Sequence, residues 1–161
     1  MADITIDDVA HIATLTAGPD RDAAWRAIDT LAMRLYDHRL LTVLRHIVET
    51  AEVERLYSSN IAAYPVGGRK QKAGTDWGRQ VLDRGEVFIC HTKADIEHTF
   101  SDHALIFSLG VGGMVNVPIR LGGTCVATMN ISTAGDRFGA ADHGQLLLLT
   151  ALVLPLVLSS R

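Results

Sequence analysis

The spacing of apolar residues predicts helices at the start of the chain and strands after them. Apolar side chains recur every three or four residues over residues 4–16 and again over 23–39, which is the period of an amphipathic helix. From Leu40 to Val48 the sequence becomes rich in apolar and β-branched residues, and residues 52–58 alternate. These two stretches together predict a β-hairpin.

Shorter elements are predicted in the middle of the chain. Proline and glycines predict a loop over residues 60–74. A helix is predicted over 76–84 with Thr75 as its cap, followed by a strand over 86–91 and a short helix over 93–100 capped by Thr92. Residues 101–113 carry no regular pattern and are predicted to be irregular.

The last part of the chain predicts a second hairpin and a terminal helix. Strands are predicted over 114–121 and 124–132, because Gly122-Gly123 between them is a typical two-residue turn. The terminal helix contains the longest apolar stretch, Leu146–Leu158, whose 13 residues are fewer than the roughly 20 that a membrane span needs. We therefore expect a buried or dimer-forming helix that Pro155 kinks or ends.

Two hairpins exclude a purely parallel sheet, since tight turns join antiparallel strands. The order of elements predicts the α+β class, with helices packed against one antiparallel sheet.

Composition narrows the function. Apolar residues make up 48% of the 161 residues and charged residues 20%, which excludes a wholly disordered chain. A net charge of −3 argues against a nucleic-acid partner. Two cysteines are too few for a disulfide framework, and the acidic start MADITIDDVAH is no signal peptide. The expected location is cytoplasmic, with no membrane partner.

Three segments resemble GAF domains. Residues 113–132 resemble the closing hairpin of that family through Val117-Pro118-Ile119, Gly123, Asn130 and Ser132. Phe138 and Asp142 resemble the opening of its final helix. Residues 77–90 resemble its step from a helix to a central strand.

The resemblance implies a GAF-like fold: a central six-stranded antiparallel sheet with helices on both faces. Residues 22–161 would form this single domain, and residues 1–21 a helical N-terminal extension. The resemblance also implies a pocket for a small molecule under residues 92–112, and dimerisation through the terminal helices.

We expect a stand-alone protein that binds a small anionic or zwitterionic molecule. Arg55 and Tyr57 lie two apart and are predicted on the same face of a strand, where a guanidinium beside a phenol suits a carboxylate or phosphate. Stacking is assigned to Trp77 and hydrogen bonding to the remaining predicted contacts, which are Tyr57, His98, His103 and Asn116.

Several alternatives stay open for these residues. Trp77 can instead pack in the core, and Asn116 can be satisfied by the backbone. The polar cluster from His91 to His103 can bind a ligand, perform acid–base chemistry, hold a metal or form a solvated capped helix. We expect no metal, because its histidines lack a tight helical spacing. No motif identifies a cofactor.

The rival interpretation is a small cytoplasmic enzyme on the same fold, since the chain carries no output domain. His98 or His103 would then act as acid or base, or Cys90 as a nucleophile activated by His91. The sequence departs from the free methionine-R-sulfoxide reductases of this family, because Trp77 stands where they place a cysteine. A third interpretation is a pure dimerisation module whose pocket is filled by its own side chains.

Overall fold

A six-stranded sheet, antiparallel between every pair of neighbours, forms the centre of the molecule. The computed structural model describes residues 2–160. The strands are β1 (Leu40–Ile47), β2 (Glu52–Ser58), β3 (Arg69–Gln71), β4 (Phe88–Cys90), β5 (Gly113–Leu121) and β6 (Thr124–Thr133). Their order across the sheet is β3-β2-β1-β6-β5-β4. The predicted fold class is confirmed.

The helices lie on both faces of this sheet. They are α1 (Ile6–Ala17), α2 (Arg21–Tyr36), α3 (Lys93–Thr99), α4 (His103–Ser108) and α5 (His143–Leu158). A π-helical segment, Gly78–Asp83, and a short 3-10 turn, Ala140–Asp142, complete the set. Helices α1, α2 and α5 pack on one face, while the π-helical segment, α3 and α4 lie on the other.

Alternation along the two longest strands separates these faces. Val115, Val117 and Ile119 of β5 enter the main core beneath α2 and α5. Met114 and Asn116 face the opposite side. Helix α1 contributes Ile12, whose side chain is only 2% exposed, to the main core. The domain boundary at residue 21 stays a prediction.

Local signals explain most helix and turn positions. Thr5 and Thr92 each form a capping box with an aspartate three residues later, and Asp20 accepts a hydrogen bond from the backbone of Ala23. The turn between β5 and β6 places Gly122 at φ +59° and Gly123 at φ +84°, a region that favours glycine.

Two predictions about local structure were wrong, and a third was right in position but not in helix type. The segment 101–113 contains α4, which forms because Ile106 is buried against the sheet. The predicted loop contains β3, whose residues Arg69 and Lys70 pair with β2 although their own strand propensity is low. The helix predicted over 76–84 is a π-helical segment.

Helix α5 does not end at Pro155 but continues to Leu158. None of the helices within residues 2–160 combines the length and apolarity that a membrane crossing requires.

Asp29 ties α2 to the sheet. His38 Nε2 lies 2.7 Å from Asp29 Oδ1, and the hydroxyl of Tyr57 on β2 donates to Asp29 Oδ2. The ring of Trp25 stacks on Tyr57 at 5.0 Å between centroids. Burial of Asp29 raises its pKa, but the hydrogen bonds from His38 and Tyr57 outweigh this effect and hold the pKa below its ordinary value.

We expect Asp29→Asn to lower the free energy of unfolding by about 1–3 kcal/mol at pH 7, because two charge-assisted hydrogen bonds become neutral ones. A lowered pKa means that the ionised carboxylate stabilises the fold above the ordinary value of 3.8 and that this contribution is lost as the pH falls through the folded-state value. Urea unfolding at pH 7 and at pH 3 measures both effects. The exposed Asp22→Asn on the same helix is the control; an equal loss in both variants would contradict the role of Asp29.

Candidate functional site

A cavity lies between the sheet and the segment that contains α3 and α4. Its volume is about 80 Å³, which is space for several water molecules or a small organic acid. The apolar walls are formed by Leu40, Leu44, Val53, Trp77, Phe100, Ile106 and Met114. The polar and charged side chains that line it are Thr42, Arg55, Tyr64, Lys70, Lys72, Asp102, Asn116, Asn130 and Ser132.

Trp77 and Asn116 form the back wall of this cavity. The indole Nε1 of Trp77 donates to Asn116 Oδ1 at 2.7 Å, and the two residues are 4% and 2% exposed. Both alternatives for Trp77 hold at once, since it packs in a buried cluster and also lines the cavity. The amide oxygen of Asn116 is satisfied by a side chain rather than by the backbone.

Asn130 lies directly opposite Asn116 on the neighbouring strand. Its amide nitrogen donates to the Thr42 hydroxyl at 3.2 Å, whereas its amide oxygen is buried without a hydrogen-bond partner among the described residues. A buried amide oxygen normally has a partner. Asn130 therefore lines the cavity and carries a buried amide oxygen without a partner among the described residues.

Arg55 reaches the cavity from β2. Its Nη1 donates to the carbonyl of Pro65 at 2.8 Å, and its guanidinium lies 5.0 Å from the centroid of the Tyr64 ring. The Nε atom is buried and has no partner among the described residues. The side chain is thus held in place while one donor stays free. Gly68 permits this position, since an added Cβ there would lie 2.9 Å from Arg55 Nη1.

Tyr57 does not share the face of Arg55, so this prediction was wrong. Val43 of β1 pairs with Tyr57, but the next residue, Leu44, pairs with Arg55, so that Leu56 is the extra residue of a β-bulge. The bulge turns Arg55 to the cavity and Tyr57 to the α2 side, where it contacts Trp25.

The two predicted histidines lie outside the cavity lining. His98 is exposed on α3. His103 begins α4, where its Nδ1 lies 2.9 Å from the carbonyl oxygen of Phe100. The segment instead contributes Phe100, Asp102 and Ile106 to the cavity. Asp102 belonged to the predicted polar cluster. The residues chosen from that cluster as ligand contacts, His98 and His103, do not line the cavity.

The charged side chains of the cavity are mostly cationic. Asp102 Oδ2 accepts from the Tyr64 hydroxyl at 2.8 Å and lies 3.3 Å from Lys70 Nζ. Burial raises the pKa of Asp102, but Tyr64 and Lys70 outweigh it and hold the pKa below its ordinary value. Arg55 and Lys72 make no ion pair with any residue in the range 2–160. Two positive charges therefore stand unneutralised beside the cavity.

Lys72 was not among the predicted site residues, because residues 60–74 were predicted to be a loop. Lys70 and Lys72 are two residues apart, which is the spacing that puts side chains on one face of a strand. A strand predicted over residues 69–72 would have placed both on one face, although the observed β3 ends at Gln71.

Neither cysteine is poised for nucleophilic chemistry. Cys90 and Cys125 are free thiols, 0% and 3% exposed. Burial raises the pKa of each to about 11. His91, predicted to activate Cys90, is exposed, and its Nδ1 lies 2.9 Å from Asp136 Oδ2. Across residues 2–160, no group of three His, Cys, Asp or Glu side chains is arranged to hold a metal ion.

Solved structures with the same architecture include several GAF domains. The GAF domain of an Acinetobacter phosphoenolpyruvate-protein phosphotransferase superposes with a TM-score of 0.72 at 11% identity, covering 98% of this chain and 95% of that one. The corresponding domain from Coxiella burnetii gives 0.72 at 14% identity, with coverages of 96% and 93%. The chromophore-binding domain of a bacteriophytochrome from R. palustris gives 0.64 at 10% identity, with coverages of 94% and 61%.

The chain therefore has the GAF fold, as its motifs predicted. No protein-family model matches the sequence, and no curated protein matches it significantly. Identities of 10% to 14% establish the architecture alone.

We expect both thiols to be inert in the folded protein. At pH 8 a thiol with a pKa of about 11 is ionised in about one molecule in a thousand, and burial blocks the reagent as well. Ellman's reagent should therefore react with both cysteines slowly, and rapidly after unfolding in urea. The Cys125→Ser variant shows which of the two reaction rates belongs to Cys90. A fast-reacting Cys90 in the native protein would contradict this expectation and would again make Cys90 a candidate nucleophile.

Proposed function

We propose that this GAF-fold protein binds a small anionic or zwitterionic organic molecule in the cavity between the sheet and residues 92–112. The observation that carries the proposal is the pair of unneutralised cations, Arg55 and Lys72, beside a cavity whose walls are part apolar and part polar. Desolvated charges without partners are costly, and an anionic ligand would offset that cost.

The uncharged groups favour a ligand that is more than a simple anion. Asn130 offers a buried free acceptor, which needs an N–H or O–H group on the ligand. Trp77, Phe100 and Ile106 offer apolar surface to a short carbon skeleton. A hydroxy acid or an amino acid combines these features. A chromophore-binding domain is among the solved structures with this architecture, which is consistent with a ligand-binding role.

The residue assignment differs from the one made on the sequence. Arg55, Trp77 and Asn116 keep their proposed places, with Arg55 neutralising the ligand's charge. Lys72 and Asn130 join them in place of Tyr57, His98 and His103. The rival enzyme, which would use His98, His103 or Cys90, is not favoured, because none of these residues lines the cavity.

We expect small carboxylic acids to bind and their uncharged amides to fail. L-lactate and lactamide are the first pair to compare by calorimetric titration, within a panel of hydroxy, amino and phosphorylated acids at fixed ionic strength. Arg55→Met should weaken binding of the tightest acid at least tenfold, since a charge-assisted hydrogen bond contributes about 1.5–3 kcal/mol.

The exposed Lys93→Met removes a charge outside the cavity and should leave affinity unchanged. Circular dichroism checks that both variants fold. The proposal fails if no acid binds the unmodified protein, or if lactamide and L-lactate bind equally well.

We also propose that a second copy of this chain covers the outer side of α5. This helix contains no Asp, Glu, Lys or Arg, and Leu147 and Leu158 are 57% and 54% exposed. Their eleven-residue separation makes an apolar stripe about 16 Å long. An uncharged stripe is self-complementary, as a two-fold interface requires.

The cytoplasmic location stays a prediction of the sequence.

We expect the protein to elute as a dimer in size-exclusion chromatography with light scattering, and Leu147→Asp to convert it to a monomer. The charge would be buried in the interface but not in the folded chain, so the thermal midpoint of the isolated monomer should change little. Ile61→Asp adds the same charge at an exposed apolar position elsewhere and should remain dimeric. An unmodified protein that is monomeric at all concentrations would overturn this proposal.

A further inference from the structure

Lys72 has an unusual environment for a lysine. It directly follows β3, and its backbone N–H donates to the carbonyl of Ala51 at 3.0 Å, which fixes where the side chain starts. Its Nζ lies 4.9 Å from the centroid of the Trp77 ring and 5.7 Å from that of Phe100. Two aromatic rings thus take the place of part of the water around the amine.

The nearby carboxylate is already engaged. Asp102 contacts Lys70 and Tyr64 and forms no ion pair with Lys72. Burial of Lys72, and then the positive charge of Lys70, lower the pKa of Lys72, while Asp102 acts in the opposite direction. Burial beside a second cation is a known way to make a lysine nucleophilic, because it raises the fraction of neutral amine.

We propose that Lys72 forms a reversible imine with a small carbonyl compound whose anionic group is held by Arg55. Both side chains line the same cavity. The inference rests on the proposed function, because it requires that the cavity accepts a small anion.

The step balances without any redox partner. The neutral amine of Lys72 attacks the carbonyl carbon, and a carbon–nitrogen bond forms. The bond between the carbonyl carbon and its oxygen then breaks, and the oxygen leaves as water. Over the whole reaction, the two protons of this water are the two that the ammonium form of Lys72 loses. A protonated imine remains. Hydrolysis reverses the step and returns both reactants.

The geometry gives Lys72 an advantage over the other lysines of the chain. An anion bound at Arg55 would hold the carbonyl group inside the cavity, which raises its effective concentration at Lys72. Lys70 is paired with Asp102, and Lys93 lies on α3, outside the cavity lining.

Reductive trapping tests this inference. Pyruvate is the probe, and sodium cyanoborohydride reduces any imine to a stable secondary amine that intact mass and peptide mapping can locate. The chain has three lysines, Lys70, Lys72 and Lys93, so the map is simple. We expect one adduct, on Lys72, that saturates with pyruvate concentration. Lys72→Arg should lower trapping at least tenfold, and Lys93→Arg should leave it unchanged.

L-lactate separates this inference from the proposed function. It has no ketone carbonyl and cannot form an imine, so its binding to the unmodified protein tests the proposed function alone. Equal labelling of the three lysines, or the absence of any Lys72 adduct, overturns the imine. If either occurs while L-lactate still binds in an Arg55-dependent manner, the imine fails and the proposed function stands.

Discussion

The β-bulge at Leu56 is the constraint on which both sides of the sheet depend. Without the extra residue, Arg55 and Tyr57 would project from the same face of β2. With it, Tyr57 joins Trp25, Asp29 and the helical layer, while Arg55 enters the cavity. One inserted residue therefore supplies a tie between α2 and the sheet on one side and a cation for the candidate site on the other.

The cavity has a charge opposite to that of the chain as a whole. The sequence carries a net charge of −3, yet Arg55, Lys70 and Lys72 face a single carboxylate, Asp102, at this site. The fold creates this local excess by pairing β3 with β2, since this places Lys70 of β3 and Lys72, which directly follows β3, at the cavity. Net charge describes the average surface and is a poor guide to a site built from four side chains.

Part of the site was predictable because strand alternation is a short-range rule. The pattern of β5 and β6 placed Asn116 and Asn130 on the face opposite the core, and the register pairs them directly. The glycine turn alone would pair Asn116 with Met129, but a β-bulge between Ile119 and Arg120 shifts the pairing by one residue and brings Asn130 opposite Asn116. Position along a strand is enough to assign a face wherever the alternation is unbroken.

The sequence by itself determined the α+β class, the two hairpins, the capped helices and the polar face of β5 and β6, since each depends on neighbours within a few residues. The tertiary structure alone decided the bulge at Leu56, the pairing of β3, the helix α4 and the removal of His98 and His103 from the cavity. These features depend on which distant surface a segment packs against, and no local pattern encodes that choice.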